Sequence, residues 1–291
     1  MLDLQAAHQR RFGAESAALA SMQDLIEAGP AALALVDRLR ADRATSDSCA
    51  VQEIRLLAPL PRPLQMRDAL TFRAHLADTQ GDFTVQQQAM LDRFLSRPFW
   101  YKCNRLSVVG PDVDVIWPAY SQVMDYEHEL AMVIGCRGRA IALKDAPRHI
   151  FGYTIFNDFS ARDLQGPEMS ALGPARCKDF DGGNVLGPCI VTADEFDPTN
   201  ATMTLRINGE VVNRGNAGTM HYSFAELITF ISEGETLHPG EIICSGTVGG
   251  GCGAENGRFL NSGDIVELEI ERIGSLRNRV LVGQSAANQP R

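Results

Sequence analysis

The run Asp125-Tyr126-Glu127-His128-Glu129-Leu130-Ala131-Met132-Val133-Ile134-Gly135 constrains both the fold and the chemistry of this chain. It reads as a β-strand carrying two carboxylates at i and i+2. Successive strand side chains point to opposite faces, so Glu127 and Glu129 share one face. His128, Leu130, Met132 and Ile134 take the other. Two neighbouring acids on a sheet repel unless something positive lies between them. A hard divalent cation with oxygen ligands is the natural candidate.

The rest of the chain bounds what such a site can serve. It has 291 residues, 45% hydrophobic and 22% charged, enough for one large domain or a large and a small one. A formal net charge of -9 and a pI near 5.2 argue against nucleic acid and anionic membranes as partners. A small anionic substrate held by local cations remains compatible. No stretch is long and apolar enough to span a bilayer, and the opening MLDLQAAHQRRFG lacks the pattern of a signal peptide. The seven cysteines are scattered with no CxxC, as expected of reduced thiols in a cytoplasmic protein. Their spacing argues against a zinc site built from cysteines.

Residues 14–42 carry apolar residues at helical spacing, punctuated by Gly29-Pro30. Val51–Leu57 is a short strand candidate. The Pro-rich stretch at 59–63 reads as an extended linker. A boundary there separates an N-terminal region, 1–65, from a domain over 66–291. Residues 67–96 again look helical. From about residue 106 the signals are mostly β: 107–109, 114–117, 129–134, 152–157, 190–192, 202–207, 241–245 and 265–270. Asn208-Gly209 between TLRI and VV is a hairpin signal, and Ser223 with Glu226 fits a capping box opening a helix over 223–232.

Three polar clusters follow the glutamate pair. In Phe156-Asn157-Asp158-Phe159-Ser160-Ala161-Arg162-Asp163-Leu164-Gln165 an apolar strand runs into acids and a cation. Asp158 is a candidate third carboxylate ligand, and Arg162 a bidentate partner for a substrate carboxylate. The plain alternative is an Asx turn with a surface Asp–Arg pair. In Arg176-Cys177-Lys178-Asp179-Phe180 the lysine can neutralise an enolate or a carboxylate, or sit in a solvated turn. Ser245-Gly246-Thr247-Val248-Gly249-Gly250-Gly251 is a Gly-rich loop that lets a backbone approach a ligand. Without the Lys-Ser/Thr ending of a phosphate loop it does not read as a nucleotide site.

Taken in order, DYEHELAMVIG, NDFSARDLQ, KDF with NVLGP, and SGT before glycines resemble the fumarylacetoacetate hydrolase family over roughly residues 66–282. The resemblance implies an α+β, mainly β fold: a mixed β-sandwich or β-roll catalytic domain behind a smaller, partly helical N-terminal region. It implies a divalent cation (Mg2+, Mn2+ or Ca2+) on Glu127, Glu129 and Asp158, with Lys178 and Thr247 lining the substrate site and Arg162 and Gln165 near metal and substrate. Arg67-Asp68-Ala69-Leu70-Thr71-Phe72-Arg73-Ala74-His75 resembles the subgroup that cleaves fumarylacetoacetate itself. By that likeness Asp68 is a fourth ligand, His75 the general base and Tyr101 a substrate contact. Leu70 stands where that subgroup carries tyrosine, which leaves the substrate open. Glu255 is a possible orienter of His75, whose plain alternative is a helix histidine satisfied by a neighbour.

The activity so implied is hydrolysis of a C–C bond in an acylpyruvate- or fumarylacetoacetate-like acid. His75 would activate water, and the cation with Lys178 would stabilise the enolate. Alternatives on the same fold are decarboxylation of a 2-keto acid and isomerisation of a hydroxymuconate-type diacid; a catalytically silent binding protein is the remote one. The family resemblance also implies a homodimer.

Overall fold

The computed structural model describes residues 1–77 and 85–283. Parts of two expectations, the helical pattern across 78–84 and the domain's end beyond 283, lie outside these residues. The N-terminal region is helical. Helix α1 (Leu4–Phe12), which the sequence reading did not anticipate, is capped by Asp3, whose side chain accepts from Ala6 N. Helix α2 (Met22–Ala41) breaks its direction at Gly29, where φ is 63° ahead of Pro30. Val51–Leu57 is not a strand. Glu53 folds back to accept from Ala50 N, and Val51–Glu53 forms a 3-10 turn.

The strands are β1 (Met66–Ala69), β2 (Trp100–Lys102), β3 (Val108–Val109), β4 (Val115–Trp117), β5 (Met124–Asp125), β6 (His128–Ile134) and β7 (Ile150–Asp158). They continue with β8 (Ser160–Ala161), β9 (Asn184–Thr192), β10 (Thr202–Ile207), β11 (Glu210–Asn216), β12 (Ile242–Cys244), β13 (Ile265–Ile270) and β14 (Gly274–Val282). The further helices are α3 (Arg73–Ala77), α4 (Val85–Leu95), α5 (Arg162–Ala171), α6 (Phe224–Gly234) and the single turn α7 (Gly253–Asn256). The helical expectation over 67–96 is corrected at its start. Residues 66–69 are wholly buried in β1, because parallel β12 and antiparallel β2 flank them on both edges.

A seven-stranded mixed sheet runs β2-β1-β12-β6-β7-β9-β3, and a five-stranded sheet runs β11-β10-β13-β14-β4. The main core lies between them. Leu130, Met132 and Ile134 from β6 join Leu205 and Ile207 from β10 and Leu268 and Ile270 from β13. The alternate residues of β6, Ala131 and Val133, face the other way into a second cluster covered by Ile26 and Met22 of α2. Glu129 lies two residues before Ala131, so it belongs to that second face. This α+β, mainly β architecture agrees with the sequence expectation. The Asn208-Gly209 hairpin is present with both residues at positive φ, and the Ser223/Glu226 capping box opens α6.

Candidate active site

Strands β1, β6 and β7 of the large sheet deliver the carboxylates, with β12 between the first two. Asp68 sits in β1, paired with Cys244 of β12. Cys244 in turn pairs with Ala131 of β6, the strand that carries Glu129. Asp158 ends β7, and Glu127 bridges to Cys252 just before β6 begins. All four are buried, and their nearest ligand atoms lie within 4.8 Å of one another. Lys178 Nζ is 2.8 Å from Glu127 Oε2 and also bonds the Asp158 carboxylate. The Tyr101 hydroxyl donates to Asp158, and Gly246 N donates to Glu129 Oε2 at 2.9 Å.

The electrostatics are those of crowded acids. Burial pushes Asp68 up, Glu129 well up and Asp158 up to about 7, the last against the pull of Lys178. Glu127 is the exception. Burial would raise it too, but Lys178 and Arg162 hold it well below the usual carboxylate range. Arg162 reaches Glu127 at 2.9 Å and Asp125 at 2.8 Å, and bonds Gln165. One oxygen each of Asp68, Glu129 and Asp158 is buried without a hydrogen-bond partner, as is the Thr247 hydroxyl. Burial this complete, with orphaned oxygens converging, fits a hard divalent cation, which would make the ionised form of all four acids favourable.

Beside the carboxylates lies a second group. His75, on α3, places Nδ1 3.2 Å from Glu255 Oε1. Burial disfavours the imidazolium, but Glu255 and Glu127 outweigh it and the His75 pKa is raised. Cys252 Sγ lies 3.2 Å from the other oxygen of Glu255, and burial drives its thiol far up. A cavity of about 470 Å³ opens over both groups. Asp68, His75, Tyr101, Glu127, Gln165, Lys178 and Thr247 line it directly, and Phe94, Phe99, Trp100, Met169 and Leu172 add an apolar wall. Glu129, Asp158, Arg162 and Glu255 lie behind those lining residues.

Every candidate residue named from the sequence therefore falls in one neighbourhood. The sequence reading passed over Asp125. This fully buried acid holds Arg162 and accepts from Gly253 N at 2.6 Å and Ala254 N at 2.9 Å. It thus ties α5 to the turn that carries Glu255. Its position two residues before Glu127 was the available signal. Cys252 was passed over as well, and only its spacing of three from Glu255 marked it.

Comparison with known proteins places these features. The family model for the C-terminal domain of fumarylacetoacetate hydrolase matches residues 66–281. Oxaloacetate tautomerase FAHD2A of Bos taurus, a mitochondrial protein, is 35% identical over 266 residues, 90% of this chain and 80% of the relative. Among solved structures, 5-carboxymethyl-2-hydroxymuconate delta-isomerase from Mycobacterium smegmatis aligns with TM-score 0.67 at 29% identity, covering 82% of this chain and 84% of that one. Fumarylacetoacetate hydrolase from psychrophilic Exiguobacterium antarcticum aligns with TM-score 0.70 at 29% identity, covering 90% and 88%.

Proposed function

The chain belongs to the fumarylacetoacetate hydrolase family, and on that premise we propose that it is a divalent-cation-dependent enzyme that moves a proton next to the carbonyl of a 2-oxo diacid. Tautomerisation of an oxaloacetate-like acid is the simplest such reaction. One observation carries the proposal: the His75–Glu255 pair and the four-carboxylate cluster flank a single cavity.

Asp68, Glu127, Glu129 and Asp158 would hold the cation, which supplies charge to stabilise an enolate. The chain's own groups do the rest. Lys178, which lines the cavity, counters negative charge on the carboxylates and on the substrate, while Arg162 neutralises Glu127 from behind. Neutral His75 takes the proton from carbon and returns it, and Glu255 orients its ring and supports the imidazolium. The tautomerase activity named for the bovine relative supports this order of preference.

A second reading is hydrolysis of a C–C bond, with His75 activating water. It is favoured by the Asp68 and His75 pair and by the likeness to the Exiguobacterium hydrolase. Mass spectrometry of products formed from a panel of diketo acids and oxaloacetate with Mg2+, Mn2+ or Ca2+ separates the readings. Tautomerisation and isomerisation conserve mass, hydrolysis adds water, and decarboxylation loses CO2. We further propose that the enzyme is a cytoplasmic homodimer with 1–65 as an N-terminal region and 66–291 as its catalytic domain; light scattering tests the dimer. Among the described residues no helix is long and apolar enough to cross a membrane.

A further inference from the structure

His75, Cys252 and Glu255 offer a nitrogen, a sulfur and an oxygen within 4.8 Å of one another. That set differs in kind from the all-oxygen cluster beside it. Glu255 lies 3.2 Å from each of the other two, through different carboxylate oxygens. Its side chain is 1% exposed, and Oε1 makes no hydrogen bond despite facing His75 Nδ1, which makes none either. Cys252 is fully buried. The group is also joined by Cys252 N, which donates to Glu255 Oε2 at 3.3 Å, by the Sγ–H that points to the same oxygen, and by Glu255 N, which donates to Cys252 O at 3.3 Å.

We propose that these three residues form a second metal site, selective for zinc-like borderline cations and distinct from the carboxylate cluster. The physical case is ligand type and spacing. Zinc takes sulfur at about 2.3 Å and imidazole nitrogen or carboxylate oxygen at about 2.0–2.2 Å in a tetrahedron, so ligand atoms stand somewhat over 3 Å apart. The 3.2 Å from His75 Nδ1 to Glu255 Oε1 matches that spacing, and Cys252 Sγ, 3.2 Å from the other Glu255 oxygen, completes a set whose ligand atoms, one per residue, lie within 4.8 Å of one another. Three protein ligands leave the fourth position open. Mg2+ and Ca2+ prefer all-oxygen cages, so they discriminate against this site as thiolate discriminates in favour of zinc. Binding needs the thiolate, and the Cys252 proton leaves to solvent as the metal enters. Entry is through the cavity, which His75 lines.

The consequence is inhibition. Zinc on Nδ1 takes the nitrogen that His75 presents to Glu255 and removes both from proton transfer. This consequence rests on the proposed function; the binding itself does not.

The test is X-ray absorption at the zinc edge on the full chain carrying one equivalent of zinc in excess Mg2+. The expected spectrum has one sulfur per zinc at about 2.3 Å. Cys252→Ser removes that shell, and both Cys252→Ser and His75→Ala weaken zinc by at least roughly tenfold in competition with a chelating dye. An oxygen-only shell in the wild type would overturn the proposal by placing zinc among the carboxylates. A sulfur shell that survives Cys252→Ser would overturn it too, pointing to another thiol such as Cys136, whose Sγ is 3.3 Å from His149 Nδ1. If Cys252→Ser does not fold, the wild-type spectrum and His75→Ala decide alone. None of these readouts uses turnover, so an inactive enzyme leaves the result intact.

Discussion

Lys178 Nζ stands 2.8 Å from Glu127 Oε2 and bonds Asp158 as well, so one buried ammonium joins two strands' worth of acids. Removing it leaves Asp158 buried without its ion-pair partner and Glu127 with Arg162 alone. Breaking such a pair costs about 3–5 kcal/mol. Lys178→Met is therefore expected to lower the melting temperature of the cation-free protein sharply, and added Mg2+ to recover more stability than it gives the wild type. Calorimetric melts with and without Mg2+ check this.

Glu255 raises the His75 pKa against the effect of burial. In the proposed role of His75 as base the ring must be neutral to act, so this contact is expected to hold the acid limb of kcat/KM at higher pH than an isolated histidine would give. Glu255→Gln removes the raising carboxylate. The limb is expected to move to lower pH while the plateau falls by roughly 10²-fold. A pH profile of the variant in saturating Mg2+ measures both.

How much of this was legible in the sequence depended on whether the cause was local. Alternation alone put Glu127 and Glu129 on one face, and the Asn208-Gly209 and Ser223/Glu226 signals act within a few residues. Asp68 was read within a helical stretch because its strand character comes from β12 and β2, partners far along the chain. Strand β14 has no clean apolar alternation. Leu276, Asn278 and Val280 alternate inward, but Asn278 breaks the apolar pattern because its amide donates to Gly110 O and Val113 O. Asp125 looked like one more acid in an acidic chain. Its role appears only when Arg162 and the amides of α7 converge on it.

His128 is fully buried with no partner for either ring nitrogen, and burial pulls its pKa down to about 3. Above an unfolded value near 6.5 both states are neutral and the contribution is constant. As pH falls from there toward 3, the unfolded chain gains a proton that the folded chain refuses. Stability then drops by up to about 1.4 kcal/mol per pH unit from this group. His128→Leu is expected to flatten that part of the acid limb in urea melts taken between pH 7 and 4.

Gly246 has φ 80°, and a Cβ there would stand 2.3 Å from Ala69 O. The same residue donates its N–H to Glu129. Gly246→Ala is expected to cost more than about 2 kcal/mol and to weaken cation binding by shifting that donor. Paired urea titrations and Mn2+ calorimetry separate the two effects.

In the proposed reaction His75 moves a proton at carbon with the help of the carboxylate-bound cation. The most direct measurement is the enol-to-keto rate of oxaloacetate, followed by enol absorbance, for the wild type in Mg2+, the wild type in EDTA, and His75→Ala in Mg2+. Catalysis is expected in the first, loss in the second, and a fall of about 10²-fold or more in the third with Mg2+ uptake retained. A His75→Ala rate equal to wild type, or a wild-type rate indifferent to EDTA, would contradict it.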